Sequence, residues 1–251
     1  FGRGLVRTLG DFGKAGERPS HPQLLDWLAT EFVGVEWSIK RMQRLIMTSR
    51  TYRQTSRVSA ERRESDPQNK LWSRMPLLRL QGEALRDSML ALAGRLRWEQ
   101  FGPADPVDVS GQGLVMAKPK DGTWRRSVYL RQRRTEVPTL LASFDLPVMS
   151  PNCVERPESN VVTQALHLMN SANLYKKVTS DKGWAAQLAG SKRTPEEIVQ
   201  QLYLAIYSRT PDSEERVIAR GLFQKKGITR RQAAEDLMWA LINTPEFVFK
   251  D

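Results

Sequence analysis

The sequence predicts a mainly α-helical protein, a multi-helix domain carrying a small β-hairpin insertion near residues 107–132. Three observations predict it. Capping signals followed by apolar residues at helical spacing recur on both sides of the middle of the chain. Between them, Gly102, Gly111, Gly113 and Gly122 are interspersed with Pro103, Pro106 and Pro119, which forbid a long helix. After Asp121-Gly122, a hairpin-type turn signal, Arg126-Val128-Leu130 alternate with Ser127-Tyr129-Arg131-Arg133 as in a half-buried strand.

The elements follow in order. Ser20-His21-Pro22-Gln23 has the form of a capping box, and Leu24, Leu25, Leu28 and Phe32 then mark a helix near 21–33. Ser38 opens a second helix with Ile39, Met42, Leu45, Ile46 and Ser49 on one stripe, which turns Lys40, Arg41 and Arg44 toward solvent. Thr51–Lys70 is polar and reads as an extended loop with a turn at Asp66-Pro67. Leu78, Leu85, Met89, Leu92 and Leu96 form the stripe of a helix over 78–96. Asp145–Pro157, with Pro147, Pro151 and Pro157, is irregular. Helices are then expected over 160–170, after Thr194-Pro195-Glu196-Glu197 (Ile198, Leu202, Ala205 and Ile206 inward), after Pro211, and after Thr229-x-x-Gln232 (Ala233, Leu237 and Leu241 inward). The expected organisation is an N-terminal helical half over 1–100, a Gly/Pro-rich loop and hairpin over 101–134, and a C-terminal helical half over 135–251, integrated as one domain.

Composition narrows the function classes. Apolar residues make up 40% and charged residues 27% of the 251, values of a folded chain and not of a disordered tail. No apolar run approaches the roughly 18 residues that cross a bilayer. The chain starts at Phe1 with neither an initiator Met nor an apolar leader, so it is read as cut from a longer chain with any targeting signal upstream. A lone cysteine, Cys153, excludes an intrachain disulfide and any multi-cysteine metal site.

The net charge of +11 belongs to the first 134 residues, since residues 135–251 carry 14 Lys/Arg against 14 Asp/Glu. It concentrates in Ser38–Arg63, with eight basic residues against Glu61, and in Lys118–Arg134, with seven against Asp121. Clustering of this kind favours a polyanionic partner.

Familiar catalytic motifs are absent: no G-x-S-x-G, P-loop, C-x-x-C or H-E-x-x-H occurs. Carboxylates alone can bind Mg²⁺ or Ca²⁺, but nothing here has their ligand spacing, so no metal site is assigned, and no cofactor is expected. His21, at a helix start, reads as a structural or capping histidine or as a base. His167, in an apolar helical run, reads as packed core. Glu83 and Asp87 share a helix face at i and i+4, with Arg86 able to pair with Glu83. Paired carboxylates can serve glycoside hydrolysis, or sit on an ordinary solvated helix. Arg125, Arg126, Arg131, Arg133 and Arg134 with Tyr129 form either an anion-recognising strand or a set of buried salt bridges. On the strand register, Arg126 shares its face with Val128 and Leu130, and is expected to be buried against Glu83 or Asp87.

The blocks Phe1-Gly-Arg-Gly-Leu-Val-Arg-Thr, Arg18-Pro-Ser-His-Pro-Gln-Leu-Leu-Asp-Trp-Leu-Ala, Trp37-Ser-Ile-Lys, Glu83-Ala-Leu-Arg-Asp-Ser, Arg125-Arg-Ser-Val-Tyr-Leu, Gln164-Ala-Leu-His-Leu-Met-Asn and Ala240-Leu-Ile-Asn-Thr-Pro-Glu-Phe stand in the family's order. Through them the chain resembles the planctomycete-specific domain of unknown function called PSD. The resemblance implies a long extracytoplasmic protein of the periplasm or cell envelope. It also implies an upstream portion with a related domain and often a cytochrome-c-like domain, although this chain has no C-x-x-C-H for haem. It implies no reaction. The family's recurrent polar positions map onto His21, Glu83, Arg86, Asp87, Arg125, Arg126, Arg133, Asp145, Arg156, Gln164 and Asn170. One departure is Val162, where many relatives have Pro.

The expected function is a binding or scaffolding module, with an acidic polysaccharide as the partner that the basic clusters, Arg41 and Arg44 among them, fit best. The alternative is a polysaccharide hydrolase with Glu83 and Asp87 as carboxylates and Arg126 or Arg133 as anion clamps. Nucleic-acid binding rests on net charge alone and lacks any recognisable module.

Overall fold

The computed structural model describes residues 1–11, 13–147, 153, 156 and 158–250. Contacts divide it into two compact units, residues 1–78 with 250–251, and residues 79–249. As expected, the protein is mainly α-helical with a few short strands.

The first unit contains α1 (Pro22–Gly34), α2 (Ile39–Thr48) and α3 (Ala60–Ser65). The expected capping box at Ser20 does not form: His21 is the N-cap of α1 and makes no side-chain cap. Pro22 follows at the first helical position, where its missing N–H costs nothing, while the Ser20 hydroxyl turns back to the Leu5 carbonyl. Ser38 caps α2 through the Arg41 N–H as expected, and Met42, Leu45 and Ile46 are half-buried while Lys40, Arg41 and Arg44 are exposed. Ile39, placed on the same stripe by its spacing, is 65% exposed.

The segment 51–70 is not all loop. Ser59 accepts from the Arg62 N–H and starts α3, with Glu61 in the first turn and Arg62 and Arg63 in the last, complementing the helix dipole. A helix polar on every side has no stripe for periodicity to detect. After α3 the buried Asp66 carboxylate accepts the Lys70 and Leu71 N–H groups at 2.7 and 3.0 Å. Burial opposes its charge, yet those bonds hold it below the usual aspartate range. Phe1 packs edge-on against the buried Trp72, centroids 4.4 Å apart.

The second unit holds one apolar core. Its helices are α4 (Gly82–Leu92), α5 (Thr139–Ser143), α6 (Val162–Met169), α7 (Ala172–Val178), α8 (Trp184–Ala189), α9 (Pro195–Tyr207), α10 (Ser213–Gln224), α11 (Arg230–Ile242) and α12 (Pro245–Val248). Leu85, Met89 and Leu92 of α4 join Ile198, Leu202, Met238 and Ile242 in that core. The helix that the sequence assigns to an N-terminal half therefore packs with the C-terminal helices. It is also shorter than its stripe. Gly94, at φ +62°, ends it in the left-handed conformation, and Leu96 passes into a strand.

Thr194, Asp212 and Thr229 cap α9, α10 and α11 through reciprocal boxes with Glu197, Glu215 and Gln232. Ile198, Leu202 and Ile206 point inward on α9 as expected, but Ala205 is exposed, and Val199 and Tyr203 are buried instead. Ala233, Leu237 and Leu241 are buried on α11 as expected. Val162 occupies the first position of α6, a place where proline is favoured, so the departure at this residue leaves the helix start intact. Pro151 and Pro157 of the expected irregular stretch lie outside the described residues.

A hairpin forms within the expected insertion, but at a different turn. Strand Val107–Val109 pairs antiparallel with Val115–Ala117 around Gly113, at φ +78°. Asp121 and Gly122 do turn the chain, yet they close only a Lys120–Thr123 bridge. Beyond it, Trp124–Arg125 pairs parallel with Leu96–Arg97, and Ser127–Tyr129 is a 3-10 turn. The expected strand over 126–133 is thus absent. Arg125 is 3% exposed, and Val128 is 71% exposed.

Candidate functional site

The polar side chains of the second unit converge around the first turns of α4. Glu83, in the first turn, receives Arg156 through two parallel bonds of 2.7 and 2.9 Å. Those bonds, together with the Arg156 charge, hold Glu83 below the usual glutamate range although burial opposes them. A glycosidase acid needs the reverse, a carboxyl raised toward neutrality. In this arrangement Glu83 is an anchor for Arg156.

One turn later, Asp87 Oδ1 accepts the Ser127 N–H and the Ser127 hydroxyl, both at 2.7 Å. Arg86 donates to the Arg125 carbonyl, the Ser127 hydroxyl and Asp87. Burial draws Arg86 below its ordinary range, and Asp87 opposes that effect. Arg126 reaches Asp87 Oδ2 at 3.5 Å, but its side chain is 55% exposed. The expected partner is correct; the expected burial is not, because the chain turns at Ser127 and does not continue as a strand.

Arg125 takes the buried place. Its Nε and Nη2 both donate to Asp105 Oδ1, at 3.0 and 2.7 Å, and its other donors cap the Phe101 and Pro103 carbonyls. The Tyr129 ring lies 4.7 Å from its guanidinium carbon. Arg131 and Arg133 approach Glu136 at 3.5 and 3.7 Å, and Arg133 is 56% exposed. A second network joins α5 to α6: Arg79 and the Ser159 N–H each donate to Asp145 at 2.7 Å, and Gln164 reaches the Ser159 hydroxyl. The Ser159 bonds and then Arg79 keep Asp145 below its usual range against burial. His167 is half-buried on α6, and burial lowers its pKa.

Sequence reasoning singled out Glu83, Arg86, Asp87, Arg125 and Arg156, which this unit does gather, but missed Arg79, Asp105, Ser127 and Ser159. Asp105 lies in the Gly/Pro-rich stretch, where no periodicity marks a partner. No group of three or more His, Cys, Asp or Glu suited to a metal occurs among the described residues.

The first unit behaves differently. His21, with Nδ1 3.0 Å from the Ser20 hydroxyl, is half-buried at the start of α1. Lys40, Arg41, Arg44, Arg50, Arg53, Arg57, Arg62 and Arg63 are all exposed. Among the described residues every ion pair lies in the second unit, so none of these eight cations is neutralised by a carboxylate. A concavity of about 540 Å³ beside them is bounded by Met47, Tyr52, Arg53, Met75 and Lys250.

The family model for a protein of unknown function, PSD1 (DUF1553), matches residues 1–223, and the chain belongs to that family. The block from Ala240 onward lies beyond the match. No curated protein and no solved structure matches the chain.

Proposed function

We propose that this member of a family without an assigned reaction is a binding module for acidic polysaccharide within a bacterial extracytoplasmic protein. The observation that supports the reading is the exposed, unneutralised cation surface from Lys40 to Arg63. Most arginines of the second unit pair with carboxylates of that unit; these eight cations of the first unit face water instead, where a polymer's sulfates or carboxylates can reach them. Guanidinium forks suit both groups. The extracytoplasmic setting is what the family resemblance implies, and it favours a polysaccharide over a nucleic acid. No helix among the described residues is long and apolar enough to cross a membrane.

The test is retention on an immobilised sulfated polysaccharide across a salt gradient. Exposed pairs are screened within about 8 Å at physiological ionic strength, so retention should fall steeply with salt. Neutralising Arg41, Arg44, Arg53 and Arg57 together to Gln removes four pairs of about 0.3–1 kcal/mol each, hence roughly tenfold or more in affinity. Unchanged retention of that variant removes the surface from the argument. Tighter binding to duplex DNA than to the polysaccharide, at equal salt, overturns the choice of polymer.

A further inference from the structure

The second unit contains a concavity with a different construction. It has a volume of about 380 Å³ and is lined by Arg95, Gly122, Trp124, Asn173, Lys176 and Lys177. That volume lies in the range of about 300–1,000 Å³ usual for small-molecule sites. Its walls are placed by backbone. Gly94 turns the chain out of α4, and the Arg95 carbonyl then accepts the Trp124 N–H at 2.9 Å, which begins the parallel pairing. The indole is locked from its edge, because Nε1 donates to the Ala117 carbonyl at 2.8 Å. α7 supplies Lys176 and Lys177 from its last turn.

Three cations surround this space, and among the described residues none has a carboxylate or any other hydrogen-bond acceptor at its charged end. Lysines in the last turn of a helix commonly serve the helix dipole. Lys177 does something else: its ammonium lies 4.2 Å from the centroid of the Trp124 ring. Burial, with the Arg86 charge adding to it, lowers the Lys177 pKa to about 8. A half-buried ammonium facing an aromatic wall and a like charge gains more from an arriving anion than an exposed lysine does.

We infer that this concavity binds a single acidic sugar unit, its sulfate or carboxylate held by Arg95 and Lys177 and its ring against the carbon walls of the cleft. The ligand class rests on the polysaccharide reading above; the site does not use the surface of the first unit. The shared chemistry, a compact oxyanion, could also come from free inorganic sulfate.

The experiment is NMR of the whole chain, ¹⁵N-labelled at tryptophan, with the Trp124 indole signal assigned through Trp124→Phe. The probes are a sulfated disaccharide, a uronate-containing disaccharide and inorganic sulfate. One of the disaccharides should shift the signal saturably. Lys177→Met and Arg95→Gln should each weaken that binding about tenfold or more, while Lys177→Arg, which keeps the charge, stays within a few-fold and guards against a folding defect. The quadruple variant Arg41→Gln, Arg44→Gln, Arg53→Gln and Arg57→Gln should bind the disaccharide as the parent does, even where it has lost the polymer. No saturable shift with either disaccharide, or equal binding by parent and Lys177→Met, overturns the site. Inorganic sulfate binding as tightly as the disaccharides overturns the sugar assignment. If polymer retention survives the quadruple variant but the disaccharide still binds at Lys177, the first-unit surface fails and the concavity stands.

Discussion

Asp87 and Ser127 lie 40 residues apart, yet the Asp87 Oδ1 atom accepts both the N–H and the hydroxyl of Ser127 at 2.7 Å. This contact fixes the 3-10 turn against α4 and sets which of two neighbouring arginines is buried. It also neutralises Arg86, whose side chain is 10% exposed. Asp87→Ala would leave that guanidinium buried without a carboxylate, a loss on the order of 3–5 kcal/mol. Urea denaturation of the variant measures it. A loss below about 1 kcal/mol would mean that Arg86 finds water instead, and that the network is not what holds the turn.

Glu83 gives a pH-dependent expectation. Arg156 lowers its pKa in the folded chain, so its contribution is fully present above the ordinary value of about 4.3 and is lost as pH falls through the lowered folded value. Glu83→Gln should therefore be less stable than the parent at pH 7. The gap should close progressively below a pH of about 4. A gap that stays constant between pH 7 and pH 3 would show that the Arg156 pairing does not act through charge.

How far these features were legible in the sequence follows from the physics of each. Capping boxes are local and chemically explicit, so Thr194 and Thr229 marked their helices correctly. Stripes survive where one face is buried, which located the cores of α9 and α11. The stripe over 78–96 ran too far because Leu78 and Leu96 happen to continue the helical spacing, although Gly94 carried the stop signal. The alternation over 126–133 misled for a related reason: the Asp87–Ser127 contact, invisible in a linear reading, bends the chain before a strand can form. Glu83 and Asp87 were found as a pair because i and i+4 positions share a face. Their partners Arg156 and Ser127 could not be assigned, because nothing local ties residues so distant in sequence. The concavity at Trp124 was missed entirely, since parallel pairing brings Arg95 beside a residue far along the chain.

Two glycines separate close approach from mere tolerance. Gly94 has φ +62°, and a Cβ there would clash with the Lys182 carbonyl oxygen. Gly94→Ala should cost at least about 1–3 kcal/mol from the left-handed backbone alone, with the clash added. At Gly221, inside α10, a Cβ would meet nothing within 4 Å. Gly221→Ala should stabilise the protein by about 0.5–1 kcal/mol. Thermal melts of the two variants should move in opposite directions; a shared direction would refute the placement of α4's end.

The arginine-rich segment yields the sharpest comparison, because Arg125 and Arg126 are adjacent and chemically identical. Arg125 is 3% exposed and its guanidinium is consumed by Asp105 and by the Phe101 and Pro103 carbonyls. Its removal strands Asp105 and uncaps a loop whose carbonyls have no substitute donor, so Arg125→Ala should unfold at markedly lower urea. Arg125→Lys should recover little, since one ammonium cannot reproduce a planar fork that meets a carboxylate and two carbonyls at once. Arg126 is 55% exposed, and Asp87 keeps Ser127 and Arg86 without it. Arg126→Ala should therefore cost well under about 1 kcal/mol, as should Arg133→Ala, whose contact to Glu136 is a solvated pair at 3.7 Å. The measurement is one denaturation series on the three alanine variants, with no ligand present. Loss concentrated in Arg125 supports the buried fork and leaves Arg126 and Arg133 free to meet solvent or a partner. Equal, small losses in all three would place Arg125 in water, and comparable large losses in Arg125 and Arg126 would restore a strand register in which both faces are covered.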